Sequence, residues 1–171
     1  MARVRGDPAL EKFLNYTMVE TPIGEILVAG DDDAVHVIHF APATPHDDWT
    51  RNDASLKYAS VQLRSYFAGK RREFDFPLSP RGTEFQLAVW NALREIPYGE
   101  TTTYGTLAKT IGRPDAVRAV GAANGANPIP IVIPCHRVIG STGSLTGFGG
   151  GLPVKRWLLD HEARIAGIRL F

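Results

Sequence analysis

The stretch Asn127-Pro128-Ile129-Pro130-Ile131-Val132-Ile133-Pro134-Cys135-His136-Arg137-Val138-Ile139-Gly140 holds the only cysteine of the chain. A thiol with an ordinary pKa of about 8.5 is mostly protonated at neutral pH, and a nucleophile needs the thiolate. An adjacent base or positive charge helps to form it, and His136 is next in sequence. Neighbours on an extended strand point to opposite faces, so the pair cooperates only where the chain turns. Pro134 makes a turn there an expectation. A histidine acting as base also needs an orienting acceptor, usually a carboxylate. Glu162, beside His161 on the last helix, is one candidate; Asp160 and Glu100 are others, and spacing does not choose among them. The bland alternative is a buried small hydrophobe at Cys135 and a hydrogen-bonded core histidine at position 136.

Two further stretches bear on chemistry. Gly140-Ser141-Thr142-Gly143 and Thr146-Gly147-Phe148-Gly149-Gly150-Gly151 are glycine-dense, which allows unusual backbone angles and close approach of a ligand. They do not form a nucleotide loop, because no Lys-Ser/Thr follows and no strand–helix context surrounds them. A pocket of backbone N–H groups for a planar polar ligand or a plain turn fits instead. His36, His39 and His46 have no metal spacing with a cysteine, and one cysteine supports neither a disulfide nor a Cys-rich zinc site.

The elements that must position these residues fall into two groups. Residues 1–12 read as a loose leader. Phe13–Val19, Glu25–Ala29 and Ala34–Phe40 read as strands joined by Thr21-Pro22-Ile23-Gly24 and Gly30-Asp31-Asp32-Asp33 turns, an antiparallel meander. Residues 41–52 read as a loop. Asp53 is placed to cap a helix carrying Leu56, Leu63 and Phe67, ended by Gly69. Phe74, Phe76 and Leu78 suggest a last short strand, and Pro80-Arg81-Gly82 breaks the pattern. This places a small α+β domain at 13–80 and a second, mostly helical domain at 83–171.

In the second domain Thr83 and Gln86 form a capping box for a helix with Phe85, Val89, Trp90 and Leu93 on one side. Pro97-Tyr98-Gly99 stops it. A short helix around Tyr104–Ile111, a Gly112-Arg113-Pro114 turn and a helix from about Asp115 to Gly125 have helix-turn-helix spacing. Ala116, Ala119, Ala122 and Ala123 give the last of these a small-residue face suited to close approach, and Arg118 projects from it. Ile131-Val132-Ile133 reads as a short buried strand. Pro153 starts a final helix whose apolar side carries Trp157, Leu158 and Ile165.

Composition narrows the class. The chain has 171 residues, 44% hydrophobic and 22% charged, a globular balance. No apolar run approaches the roughly 18–20 residues of a membrane span. The charged opening residues lead into no apolar stretch, so no secretory signal is expected. A single cysteine fits a reducing, cytoplasmic location. Residues 1–82 carry 10 Lys and Arg against 12 Asp and Glu, whereas residues 83–171 carry 9 against 6. The second half is therefore the one suited to a polyanion.

Pro134-Cys135-His136-Arg137-Val138, preceded by Asn127-Pro128, resembles the O6-alkylguanine-DNA alkyltransferase family. The resemblance runs across about residues 83–171. It includes Phe85-Gln86-Leu87-Ala88-Val89-Trp90, Ile96-Pro97-Tyr98-Gly99-Glu100-Thr101, Tyr104, Arg118-Ala119-Val120-Gly121 and Lys155 to Glu162. Residues 13–80 are similar to the family's N-terminal domain in outline, with Pro22-Ile23-Gly24 and Tyr66-Phe67-Ala68-Gly69 as the recognisable pieces.

The resemblance implies an α+β fold: an antiparallel-sheet N-terminal domain, ribonuclease H-like in outline, and a helical C-terminal domain with a winged helix-turn-helix. It implies that Cys135 takes the alkyl group once and irreversibly from a flipped-out O6-alkylguanine, with a minor activity on O4-alkylthymine. His136 would remove the thiol proton through a water, and Glu162 would orient His136. Asn127 would tie the recognition helix to the active-site strand. Arg118 would fill the space of the extruded base, on a helix whose Ala119, Gly121 and Ala122 meet the minor groove of double-stranded DNA. Tyr104 would crowd the adjacent phosphate and donate to guanine N3. Carbonyls of Cys135 and Val138 would read the exocyclic amine, beside Phe148, and a backbone N–H near Gly149 would meet O6. No cofactor or metal is implied, nor any membrane contact, and a monomer is expected, alone or clustered along DNA near the nucleoid.

Three departures qualify this. Phe148 stands where relatives often have Tyr, Gly125-Ala126 makes the end of the recognition helix less basic, and the chain lacks the cysteines of a family zinc site. Two other functions share some of these features: a lesion-binding protein that marks damage without repair, and a thiol hydrolase using Cys135, His136 and Glu162. The cysteine separates this chain from relatives that carry Trp there and only bind; the helix-turn-helix and Arg118 speak against the hydrolase.

Overall fold

The computed structural model describes residues 13–168, so the leader at 1–12 lies outside the described residues. The chain divides into two compact units, 1–81 and 82–171.

In the first unit, β1 (Asn15–Thr21) and β2 (Gly24–Gly30) pair antiparallel from Asn15 against Gly30 to Thr21 against Gly24. The hairpin is tight because Thr21 Oγ1 accepts the Ile23 N–H at 3.1 Å and Gly24 turns at φ +103°, a region that favours glycine. β3 (Val35–His39) continues the meander antiparallel to β2. β4 (Thr50–Arg51) lies parallel to β1, giving the order β3-β2-β1-β4. α1 (Lys57–Phe67) buries Ala59, Leu63, Tyr66 and Phe67, and Val19, Ile26 and Val28 are core residues of the sheet.

Three expectations for this unit need correction. Residues 41–52 are not all loop, since Thr50 and Arg51 form the parallel edge. Asp53 does not cap α1: Leu56 holds the cap position, and the Asp53 carboxylate accepts from Thr17 Oγ1 at 2.7 Å and Arg51 Nε at 3.1 Å. Residues 74–78 form no strand beyond one bridge between Val35 and Leu78. Pro77 has no N–H for a ladder. Phe74 and Phe76 instead join Tyr58 and Tyr66 in an aromatic cluster with ring centroids 5.5–5.9 Å apart.

The second unit is helical. α2 (Glu84–Arg94) opens with the reciprocal capping box of Thr83 and Gln86 and buries Val89, Trp90 and Leu93. β5 (Thr102–Thr103) leads directly into α3 (Tyr104–Thr110), whose first turn is capped by the Thr103 hydroxyl. Gly112, at φ +73°, turns the chain towards α4 (Val117–Gly125). Two short helices joined by this glycine turn make the helix-turn-helix. α4 begins two residues later than its pattern suggested, because Ala116 N–H closes a turn on Arg113 O at 2.9 Å. Trp90 fixes α4 from below, donating its indole N–H to Ala123 O at 2.8 Å. β6 (Val138–Ile139) pairs parallel with β5, and α5 (Leu152–Ala166) closes the unit with Pro153 in its first turn. Among the described residues no helix is long and apolar enough to cross a membrane.

Candidate active site

The proline-rich stretch before Cys135 is a folded loop rather than the expected strand. Pro128, Pro130 and Pro134 cannot donate to a ladder. The chain doubles back so that Ile133 N–H reaches Ile129 O at 2.9 Å, and Ile131 sits at φ +76°, a conformation that β-branched residues rarely adopt. Asn127 holds the loop closed. Its amide donates to Ile133 O at 2.8 Å, and its carbonyl accepts the Ile129 N–H at 3.0 Å. Cys135 N–H then reaches back to Ile133 O at 2.8 Å across Pro134, at φ −81° and ψ +64°, an inverse γ-turn. A single 3-10 turn, Cys135–Arg137, follows. Pro134 thus marks the turn its position suggested, and Cys135 and His136 do not alternate as strand neighbours would.

Cys135 is only 4% exposed. Burial pushes its thiol up to about 11, against the opposing influence of the Asn127 amide and the Lys155 charge. His136 is fully buried, and its Nε2 lies 2.8 Å from Glu162 Oε2 on α5. The same carboxylate accepts Arg137 Nε at 2.8 Å and Arg137 Nη2 at 3.0 Å, and the Gly99 N–H approaches at 3.5 Å. Burial alone would raise the Glu162 pKa, but His136 and Arg137 outweigh it and hold the group well below the usual carboxylate range. Arg137 is fixed in turn by Ile96 O at 2.6 Å and lies over the Tyr98 ring.

These contacts set the histidine tautomer. An ionised Glu162 only accepts hydrogen bonds, so Nε2 of His136 carries the hydrogen. Nδ1 is then the lone-pair nitrogen. It is buried and has no hydrogen-bond partner among the described residues. A nitrogen lone pair with no other partner, on the residue after a buried thiol and backed by a buried anion, is open to accept a proton.

Of the three candidate carboxylates, Glu162 is buried beside His136, whereas Asp160 and Glu100 are exposed. Asn127 and Val138 also lie in this cluster, and Val138 is fully buried. Tyr104 begins α3, half-buried, with its hydroxyl on Thr146 Oγ1. Arg118 lies exposed on the first turn of α4; Ala119, Gly121 and Ala122 on the same helix are half-buried. Phe148 and Gly149 sit in the loop between β6 and α5. Among the described residues no three His, Cys, Asp or Glu side chains cluster as metal ligands.

Three participants had no assigned part in the sequence reading. Arg137 is the second partner of Glu162. Lys155 is fully buried, its ammonium donating to Val138 O at 2.7 Å, and burial lowers its pKa against the pull of Cys135. Asn124, buried on α4, reaches Cys135 O at 3.5 Å. Charged residues at these positions read as surface in a sequence, because buried lysines and arginines are rare. The signal that could have found Lys155 is its place three residues before Leu158, on the apolar side of α5.

Fold and site together define a class: a helix-turn-helix unit with a buried thiol beside a histidine–carboxylate pair. Residues 84–164 match the family model described as 6-O-methylguanine DNA methyltransferase, DNA binding domain, and residues 14–80 match its ribonuclease-like domain. The chain belongs to the 6-O-methylguanine DNA methyltransferase family. It is 52% identical over 151 residues to a methylated-DNA–protein-cysteine methyltransferase of Methanosarcina acetivorans, covering 86% of this chain and 97% of that protein. A protein of the same name from Mycolicibacterium paratuberculosis is 50% identical over 154 residues, covering 88% and 93%. The crystal structure of Mycobacterium tuberculosis OGT in complex with DNA superposes with a TM-score of 0.84 at 48% identity, covering 88% of this chain and 94% of that one.

Proposed function

We propose that this chain repairs O6-alkylguanine in duplex DNA by moving the alkyl group onto Cys135, once per molecule. The observation that carries the reading is the buried Cys135 beside His136, whose Nε2 is held by the ionised Glu162. A thiol that burial pushes up to about 11 is almost wholly protonated at neutral pH. The base is therefore essential. His136 Nδ1 takes the thiol proton through a water, and Glu162 stabilises the imidazolium that forms. The sulfur–carbon bond then forms as the carbon–O6 bond breaks. The electron pair passes to the guanine ring, which takes up a proton, in net the one His136 removed from the thiol, and leaves as neutral guanine. Lys155 offsets part of the developing negative charge on sulfur.

The alkyl carbon of a stacked base is out of reach, so the nucleotide must leave the helix. Exposed Arg118 fills the gap, and the small face of Ala119, Gly121 and Ala122 lets α4 approach the minor groove closely. Tyr104 crowds the flanking phosphate and donates to guanine N3 as the base departs. The carbonyls of Cys135 and Val138 read the exocyclic amine; that of Val138 keeps a second lone pair beside its bond to Lys155. A backbone N–H near Gly149 meets O6, with Phe148 lining the pocket. The protein acts as a monomer on DNA, and its single cysteine suits a reducing, cytoplasmic site of action.

Intact mass after incubation with a duplex containing O6-methylguanine tests this. One methyl group is expected on the Cys135 peptide, and none with Cys135→Ala. Tight binding to the lesion without any mass gain would leave a damage reader. Repeated turnover of a small ester, indifferent to DNA, would leave a hydrolase.

A further inference from the structure

Tyr104 joins three segments through one side chain. It starts α3, immediately after β5. A methyl group placed on Gly121 would meet its ring at 3.8 Å, so the ring lies against α4. Its hydroxyl is hydrogen-bonded to Thr146 Oγ1 in the loop between β6 and α5. Thr146 is itself anchored, since the buried Lys155 ammonium that donates to Val138 O approaches Thr146 O at 3.4 Å. The partner of the phenol is thus held by the same cation that meets β6 at Val138, although Gly147 follows it on a loop with ample backbone freedom.

A threonine hydroxyl has one hydrogen to give and lone pairs to accept with. When it accepts, the phenol hydrogen is committed to Thr146. When it donates, the phenol hydrogen is released for another acceptor, and the incoming bond polarises the phenol into a stronger donor. We infer that Thr146 is a positioning residue for alkyl transfer: its hydroxyl donates to the Tyr104 oxygen and frees the phenol hydrogen for N3 of the departing guanine. The inference rests on the part proposed above for Tyr104. It adds a residue that touches neither sulfur nor the alkyl carbon.

Single-turnover transfer rates on O6-methylguanine duplex, at saturating protein, test it in a double-mutant cycle. Thr146→Val keeps the branched shape and removes the hydroxyl; Thr146→Ser keeps the hydroxyl. With Tyr104 present, Thr146→Val should slow transfer about fivefold to tenfold, the scale of one hydrogen bond. Thr146→Ser should stay within about twofold. In a Tyr104→Phe background, Thr146→Val should cost less than about twofold, because nothing remains to orient. Equal slowing in both backgrounds, no slowing in either, or Thr146→Ser as slow as Thr146→Val would overturn the inference. If Tyr104→Phe alone leaves the rate unchanged, the part given to Tyr104 fails and takes the inference with it. Duplex affinity and the unfolding midpoint, measured on each variant, separate these outcomes from misfolding.

Discussion

Glu162 accepts from His136 and Arg137 and lies within 3.5 Å of the Gly99 N–H, while only 1% exposed. Glu162→Gln therefore removes the anion that two cationic or proton-carrying partners share. Transfer should fall about a hundredfold, the scale of a disabled general base. Stability should fall by about 3 kcal/mol, because Arg137 is left buried and unpaired. Single-turnover kinetics and urea unfolding measure the two. The carboxyl is held below its ordinary value of 4.5, so its stabilisation is present above that pH and is lost as the pH falls further. Urea midpoints taken from pH 6 down to pH 3 should decline more steeply for the wild type than for Glu162→Gln. Cys135 works in the opposite sense. Its raised pKa predicts that thiolate absorbance, taken as the difference from Cys135→Ser, appears near pH 11 rather than near 9. At this scale the reactive pair was readable because Pro134-Cys135-His136 is contiguous. The supporting cations were harder to see: nothing local marks Arg137 as buried, and Lys155 shows itself only through its spacing from Leu158 on α5.

Gly99 shows how an element depends on one residue. It turns at φ +81°, and a Cβ there would come within 2.8 Å of Ala166 Cβ on α5. Gly99→Ala should lower stability by about 1–3 kcal/mol and loosen the seat of Glu162, read as a lower unfolding midpoint together with slower transfer. The recognition helix carries a different expectation. Arg118 is exposed at the start of α4 and is in none of the hydrogen bonds of the buried cluster described above. Arg118→Ala should therefore weaken repair of duplex far more than reaction with the free modified base. Equal losses on both substrates would remove its wedge role. The helices were legible from caps and apolar spacing, α2 most clearly through Thr83 and Gln86. The failures lie where proline competes with pattern. Ile131–Ile133 and Phe74–Leu78 have the apolar text of strands, but prolines beside or within them deny the ladder its donors.

Across the whole molecule the charge is uneven, with the excess of Lys and Arg in residues 83–171. Binding led by phosphate contacts should weaken by at least about tenfold between 50 and 200 mM salt and vary little with flanking sequence. Titrations on two unrelated duplexes check both expectations. The contrast between a strand-rich first unit and a helical second unit was visible in the alternation and caps of the chain. The parallel edge formed by Thr50 and Arg51 was not, because a two-residue strand defined by a distant partner leaves no periodic trace.

A reagent that works once must also survive until it is needed. With 4% of Cys135 open to solvent and its sulfur kept as thiol, peroxide and stray disulfides find little thiolate to attack. The enclosure that makes the chemistry dependent on His136 thereby gives the unused protein a long shelf life, and spends its single shot only on a base delivered into the site.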